Sequence, residues 1–497
     1  MTHQLSRRHF LAALGASGLG AATPALAGAP TASLRPVARG EDLRLRSIAS
    51  AEELIAAAKL SGAVGFTVLD AATGTVIDSH AATLGLPPAS VAKAITASYA
   101  LATLGPDHRF NTDLLATGDV VEGVLKGDLI LLGGGDPTLD TDGMAELVLI
   151  LKAAGVARVE GRFLVCGGTL PYTPTIDPGQ PEHVGYSPAV SGLALNYNRV
   201  HFEWHKGGNG YQVSMDAPSP TLRPAVRMAS MGVITRDVPL YTYHDGGARD
   251  EWTVARGALG NSGARWLPVR KPDRYAGEVF QVLAGGKGVS VPAPEMVATC
   301  PPGTLLARKQ SAPLADVLRD MLKWSTNLTA EMVGLAATRA RLGEAQSMRH
   351  SAAEMSAWAR SEFGLEQVAL VDHSGLGEDS RITSQDMAKL LLRQQVGLKA
   401  LLKPVPLRDS TSKVFKDASQ AVHAKTGTLN FVSGLAGYVD LDGGEELVFA
   451  FFSGDLDRRA KLSKAQRERP EGGKAWNTRA KMLQQALIER WAVLAEA

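Results

Sequence analysis

The chain has 497 residues, 45% of them apolar and 21% charged, with a formal net charge of +2. That balance is ordinary for a globular protein with core enough for about two to four domains, and it excludes an electrostatic case for nucleic acid or an anionic membrane as partner. Cys166 and Cys300 are the only cysteines; they exclude a disulfide scaffold and any cysteine metal site, and fit one disulfide or two buried thiols equally.

The N-terminal stretch SRRHFLAALGASGLGAATPALAGAP places Arg7-Arg8 before Phe10-Leu11, then a short apolar run diluted by Gly15, Gly18 and Gly20. It closes on Ala25-Leu26-Ala27, a small-x-small cleavage pattern. The stretch over 1–27 predicts an export signal of the twin-arginine type, with a mature protein from about Gly28 in the periplasm. No stretch of the chain is long and apolar enough to predict a transmembrane helix.

Residues 63–82 read as a hairpin turning at Ala72-Thr73-Gly74. Next comes PPASVAKAITASYALATLG (87–105), where two prolines precede a helical pattern predicted to begin near Ser90 and to end at Gly105-Pro106. From about 107 to 303 the texture is β-like, with many glycines and prolines and few long helical patterns. Helical texture returns over 312–343. A second hairpin, 433–454, turns at Asp442-Gly443-Gly444, and a last helix spans 473–495. There is no fixed-period repeat. The simplest partition is a discontinuous α/β domain, 28–106 plus 304–497, interrupted by a β-rich insertion long enough for two domains.

Three short motifs carry the chemistry. Ser90 and Lys93 stand one turn apart on one helix face. Alone, Ser90 also fits a helix N-cap, and S-x-x-K recurs at Ser410 and Lys413. A cation in the first turn nevertheless opposes the helix dipole, so a purely structural design would place an acid there. KWSTNLTAE supplies Ser325-x-Asn327 before a helical run, and VHAKTGTLN supplies Lys425-Thr426-Gly427 between two apolar runs. Each has a bland alternative: an N-cap for the former, an edge-strand lysine beside a glycine bulge for the latter. In this order, S-x-x-K, S-x-N and K-T-G form the trio of penicillin-binding proteins and serine β-lactamases. The Ser410 copy follows S-x-N and fails the order.

The residue types suit acyl transfer. A serine hydroxyl needs a base, and lysine serves only when neutral, which burial beside a second cation such as Lys425 promotes. Asn327 can hold Lys93 by its oxygen and donate to a substrate carbonyl, while Ser325 relays a proton to the leaving amine. Gly427 would let a substrate backbone lie against its strand, and the N–H groups of Ser90 and Thr428 would receive the oxyanion. The chain has no H-E-x-x-H, G-x-S-x-G or P-loop. Asp136, Asp140 and Asp142 lack EF-hand spacing and read as a solvated glycine-rich turn, and the histidines show no paired metal-ligand spacing. Neither a metal nor a cofactor is expected.

On these motifs, with LKGDLILLGGGDPTL, VDHSGLGEDSRIT and AKTGTLNFVSGLAGYV, the chain resembles the class C, low-molecular-mass penicillin-binding proteins, the D-alanyl-D-alanine carboxypeptidase/endopeptidase family. The resemblance extends over nearly the whole chain after the export signal. It implies an α/β (α+β) fold: a transpeptidase/β-lactamase-like catalytic domain, a second domain inserted (107–160 and 286–303) and a third nested within it (161–285). It implies a serine peptidase acting on peptidoglycan stem peptides and inhibited covalently by β-lactams. Ser90 would be the acyl-ester nucleophile, Lys93 its base, and Ser325 and Asn327 the second motif. Lys425, Thr426, Gly427 and Thr428 would bind the terminal carboxylate and acyl oxygen. Asn430 and Tyr186 join them as expected substrate contacts, Tyr186 with Tyr172 on a loop (171–188) predicted to reach over the cleft.

The chain departs from the family pattern at three places. Thr326 stands where Asp is common, Glu378 and its neighbours stand where a basic or polar run is frequent, and the approach to Lys425 lacks the usual glycines. These departures bear on substrate preference. The alternatives are a β-lactamase-like hydrolase, for which the extra glutamate-asparagine signature is missing, and a non-catalytic wall-binding protein. Oligomeric state is left open.

Overall fold

The computed structural model describes residues 48–407 and 420–495. The export signal and the Ser410/Lys413 pair lie outside the described residues. Both predicted hairpins form, and they join in one sheet. Its order is Gln420–Leu429, Val432–Leu441, Glu446–Gly454, Ala63–Asp70, Val76–His80, antiparallel throughout. Alternation along Glu446–Gly454 explains why both sheet faces are covered. Leu447, Phe449 and Phe451 point to a core completed by Leu487, Ile488 and Trp491 of the final helix, Gly473–Ala495. Val448, Ala450 and Phe452 point to a second core, with the helices Ala92–Leu104, Leu314–Trp324, Met348–Phe363 and Ser384–Arg393. The result is helix–sheet–helix layering.

A second five-stranded sheet is mixed, in the order Pro294–Met296, Phe163–Cys166, Leu129–Gly133, Asn111–Ala116, Thr304–Gln310. The chain enters and leaves through paired strands, Asn111 opposite Gln310. Against the sequence reading, this region holds two full helices, Thr141–Ala153 and Pro272–Gly286. Their start signals were present: Asp140 accepts from the Gly143 N–H as N-cap, and Pro272 occupies the first turn. Two three-stranded sheets follow, one of Gly210–Asp216, Arg199–Gly207 and Ser262–Pro268, the other of Ala229–Ile234, Asp250–Ala255 and Tyr241–Asp245. Cys166 and Cys300 form a disulfide with Cα atoms 5.7 Å apart. Among the described residues, no helix is long and apolar enough to cross a membrane.

Candidate active site

The predicted helix does not start smoothly at Ser90. Ala89–Val91 form a tight 3₁₀ turn, Ala89 holds a left-handed φ of 47°, and the α-helix begins at Ala92. Such backbone is costly outside glycine and persists where surrounding structure enforces it. The enforcement comes from two glycines. A Cβ on Gly427 would stand 2.6 Å from the Pro88 carbonyl oxygen and 3.1 Å from the Ser90 nitrogen, and one on Gly375 would overlap the Ala89 carbonyl. Gly427 therefore lets its own strand close onto the serine turn. The strand is regular at this point, Gly427 pairing in register with Gly434, so the glycine bulge of the bland alternative is absent.

Lys93 is fully buried. Its Nζ donates to Ser90 Oγ at 3.0 Å, to Asn327 Oδ1 at 2.7 Å and to the Ser374 carbonyl at 2.7 Å. Burial holds Lys93 down to about 8, against the opposing pull of Asp372 and Glu331. Asn327 opens the helix Asn327–Leu342, and Ser325 sits before it in left-handed backbone, φ 60°. Thr326 takes the N-cap position without a side-chain bond, so neither Ser325 nor Asn327 is the N-cap of this helix, and Ser325 instead closes the preceding one, Leu314–Trp324. Lys425, also buried, donates to Ser325 Oγ at 2.9 Å and to the Thr426 carbonyl at 2.7 Å. Burial, then Lys93 and Lys403, holds Lys425 well below its ordinary value. Lys93 and Lys425 face one another across the site as like charges, which disfavours protonating both together.

The floor comes from the stretches KWSTNLTAE and VDHSGLGEDSRIT, in which the sequence reading gave Glu331, Asp372, His373 and Ser374 no role. Glu331, one turn past Asn327, accepts from the N–H groups of His373 and Ser374 at 3.0 and 2.9 Å. Asp372 accepts from those of Gly375 and Gly377. Burial raises both carboxyls above their ordinary range. The available signal was the i,i+4 placement of Asn327 and Glu331 on one face.

Ser90, Ser325, Asn327, Thr428, Asn430 and Tyr186 line one cleft of about 310 Å³. Asn430 Nδ2 donates to the Arg467 carbonyl at 2.7 Å. Arg459 and Arg467, invisible in the sequence pattern, line the far end and share Glu378 as ion-pair partner. Tyr186 enters through its backbone, its carbonyl accepting from Asn327 Nδ2 at 2.9 Å. The amide expected to greet a substrate carbonyl is thus engaged by the 171–188 loop. Tyr172 lies elsewhere: its hydroxyl donates to the Arg270 carbonyl, and its ring lines a separate cavity with Asp245 and Lys271.

The acidic turn is structural. Asp136 accepts from Thr138, Asp140 caps its helix and Asp142 accepts from Ser219 and Thr221. His201, Glu203 and Asp216 bring ligand atoms within 4.8 Å, but the Arg223 guanidinium pairs with both carboxylates.

Chemically, two of Lys93's acceptors are fixed, the Asn327 oxygen and the Ser374 carbonyl. A neutral amine with two N–H bonds serves both and keeps its lone pair for the Ser90 hydroxyl proton.

A D-alanyl-D-alanine carboxypeptidase of Actinomadura sp. is 28% identical over 468 residues, covering 85% of this chain and 82% of its own. One from Haemophilus influenzae is 23% identical over 428 residues, covering 80% and 88%. The crystal structure of penicillin binding protein 4 from Haemophilus influenzae superposes with a TM-score of 0.72 at 20% identity, over 90% of this chain and all of that one. Residues 48–472 match the sequence profile of the D-Ala-D-Ala carboxypeptidase 3 (S13) family, and the chain belongs to that family.

Proposed function

We propose that the chain is a serine DD-peptidase that cleaves the D-alanyl-D-alanine end, or the equivalent cross-link, of peptidoglycan stem peptides through an ester on Ser90. The observation that carries this reading is the 3.0 Å contact between Lys93 Nζ and Ser90 Oγ, with Lys93 buried and held to about 8. Ser90 Oγ attacks the scissile carbonyl while its proton passes to Lys93 Nζ. The oxyanion is received by the N–H groups of Ser90 and Thr428. The C–N bond then breaks, the departing amine takes a proton through Ser325 and its partner Lys425, and water hydrolyses the ester. Thr426 and Lys425 bind the terminal carboxylate. A β-lactam stops at the ester because its ring carbon chain stays attached.

The same reading includes export to the periplasm by the twin-arginine route, supported by Arg7-Arg8 and Ala25-Leu26-Ala27. It also includes a catalytic domain of 28–106 and 304–497 carrying the inserted and nested domains, supported by the pairing of Asn111–Ala116 with Thr304–Gln310.

The test is a fluorescent penicillin on the purified protein, with mass mapping of the modified residue. The adduct is expected on Ser90 and absent from Ser90→Ala. An adduct on Ser325, or none on the wild type, overturns the reading.

A further inference from the structure

Beyond the far end of the cleft lies a cavity of about 800 Å³ to which the chemistry above gives no role. The two are neighbours by construction. Lys425 and Thr426 take the terminal carboxylate and Ser90 with Thr428 the scissile carbonyl, so the rest of a bound stem peptide extends past Thr428 toward Asn430. Asn430 is pinned to the Arg467 carbonyl, and the next residue, Glu468, borders both the cleft and the cavity. An extended chain advances about 3.3 Å per residue, so three further substrate residues span about 10 Å beyond the scissile carbonyl.

The cavity is built chiefly from the 171–188 loop, the segment 238–242 and 464–469, with Ala258 and Arg265 completing the lining. Its wall is firm. His183 stacks on Tyr241 with centroids 4.8 Å apart, Arg265 lies 4.8 Å from the Tyr241 ring centre, and His183 Nε2 stands 3.2 Å from Glu468 Oε1. Its floor is apolar and open: Val238 is 78% and Leu240 38% exposed, with Pro239 between them. The charged lining sets three cations (Arg265, Lys464, Arg469) against two acids (Glu182, Glu468); Lys464 stands 3.8 Å from Glu182 and Arg265 4.0 Å from Glu468, which leaves Arg469 as the positive charge in excess. An open apolar floor beside excess positive charge suits a ligand with a hydrocarbon face and one anionic group.

We infer that this cavity binds the sugar-proximal start of the same stem peptide, seating an acetylated amino sugar on Val238, Pro239 and Leu240 and a free carboxylate of the early stem against Lys464 and Arg469. The inference rests on the DD-peptidase reading, since that reading sets the direction in which substrate leaves the cleft. Binding energy from this remote part positions the scissile bond over Ser90, so it appears in turnover of large substrates and not in acylation by a small penicillin.

The test compares two substrates, a disaccharide-pentapeptide and an acetylated tripeptide ending in D-Ala-D-Ala, in the wild type and in two variants, Val238→Glu/Leu240→Glu and Arg469→Glu. Both variants alter exposed side chains outside the catalytic set. The wild type should show kcat/KM higher by about tenfold or more on the disaccharide-pentapeptide, falling to within about twofold in each variant, with penicillin acylation unchanged. No preference in the wild type, or a preference that both variants keep, overturns the inference. If a variant loses penicillin acylation as well, the question passes to titration of Ser90→Ala with a disaccharide-dipeptide, which lacks the scissile bond. Saturable binding to Ser90→Ala that Leu240→Glu abolishes upholds the inference, and no binding overturns it. A wild type that binds the disaccharide-dipeptide but cleaves neither substrate and takes no penicillin sinks the peptidase reading alone.

Discussion

Lys93 is tied to Glu331 through one residue: Lys93 Nζ donates to the Ser374 carbonyl at 2.7 Å, and the Ser374 N–H donates to Glu331 Oε1 at 2.9 Å. A buried acid therefore fixes the position of the lysine's acceptor and, after Asp372, adds to the pull that opposes the effect of burial on the lysine. Glu331→Gln turns an amide nitrogen toward a backbone N–H, which should cost about 1–3 kcal/mol of stability. It also removes a charge that raises the lysine's pKa, so the midpoint of the acylation pH profile should move below its wild-type value. Stopped-flow penicillin acylation against pH reads this directly, and a midpoint that rises would contradict it.

For the wild type, a base must be neutral to act. Lys93 is held to about 8, so acylation should be slow in acid, rise with pH and level off above a midpoint near 8. Lys93→Arg keeps the charge but cannot lose its proton, and acylation should fall by roughly 10²–10⁴. A flat wild-type profile between about pH 6 and 9 would remove Lys93 from the role of base.

Gly427→Ala places a methyl 2.6 Å from the Pro88 carbonyl oxygen, against backbone that has no flexible end to yield. The strand must separate from the serine turn. We expect a stability loss of about 1–3 kcal/mol and a disproportionate loss of acylation, because Thr428 moves away from Ser90. Calorimetry together with penicillin labelling separates the two effects. An alanine variant acylating at the wild-type rate would show that the close approach is unimportant.

The disulfide should affect stability alone. Cys166 and Cys300 close a span of 134 residues, and neither lines the cleft. Replacing both, Cys166→Ala with Cys300→Ser, should lower unfolding stability by about 2–4 kcal/mol while leaving the acylation rate within about twofold. A rate loss as large as that of Gly427→Ala would show that the inserted sheet transmits strain to the site.

What was legible in the chain follows from the range of the interactions concerned. Ser90 and Lys93 are three residues apart on a helical segment, so their contact could be read from spacing. Both hairpins of the central sheet announced themselves by alternation and turn glycines. The close approach of Gly427 to the Pro88–Ser90 turn could not be read in advance, because no periodicity connects that turn to residue 427. The bond from the Asn327 amide to the Tyr186 carbonyl was out of reach of the sequence because that carbonyl arrives from a distant loop. The helices Thr141–Ala153 and Pro272–Gly286 were passed over because glycine and proline nearby outweighed their start signals. Glu331 was on the right face and in plain view, but a buried carboxylate bound to backbone N–H groups leaves no pattern until its partners, His373 and Ser374, are in place.

The central sheet has a temporal consequence. Its strand Ala63–Asp70, early in the chain, is completed on one edge by Glu446–Gly454, and beyond that by the strand bearing Lys425. A ribosome delivers Ser90 long before Lys425, and the serine turn has nothing to close against in the interval. A nascent or truncated chain is therefore a poor hydrolase whatever its local folding, and wall-cutting activity arrives as a single late event, with the last strands.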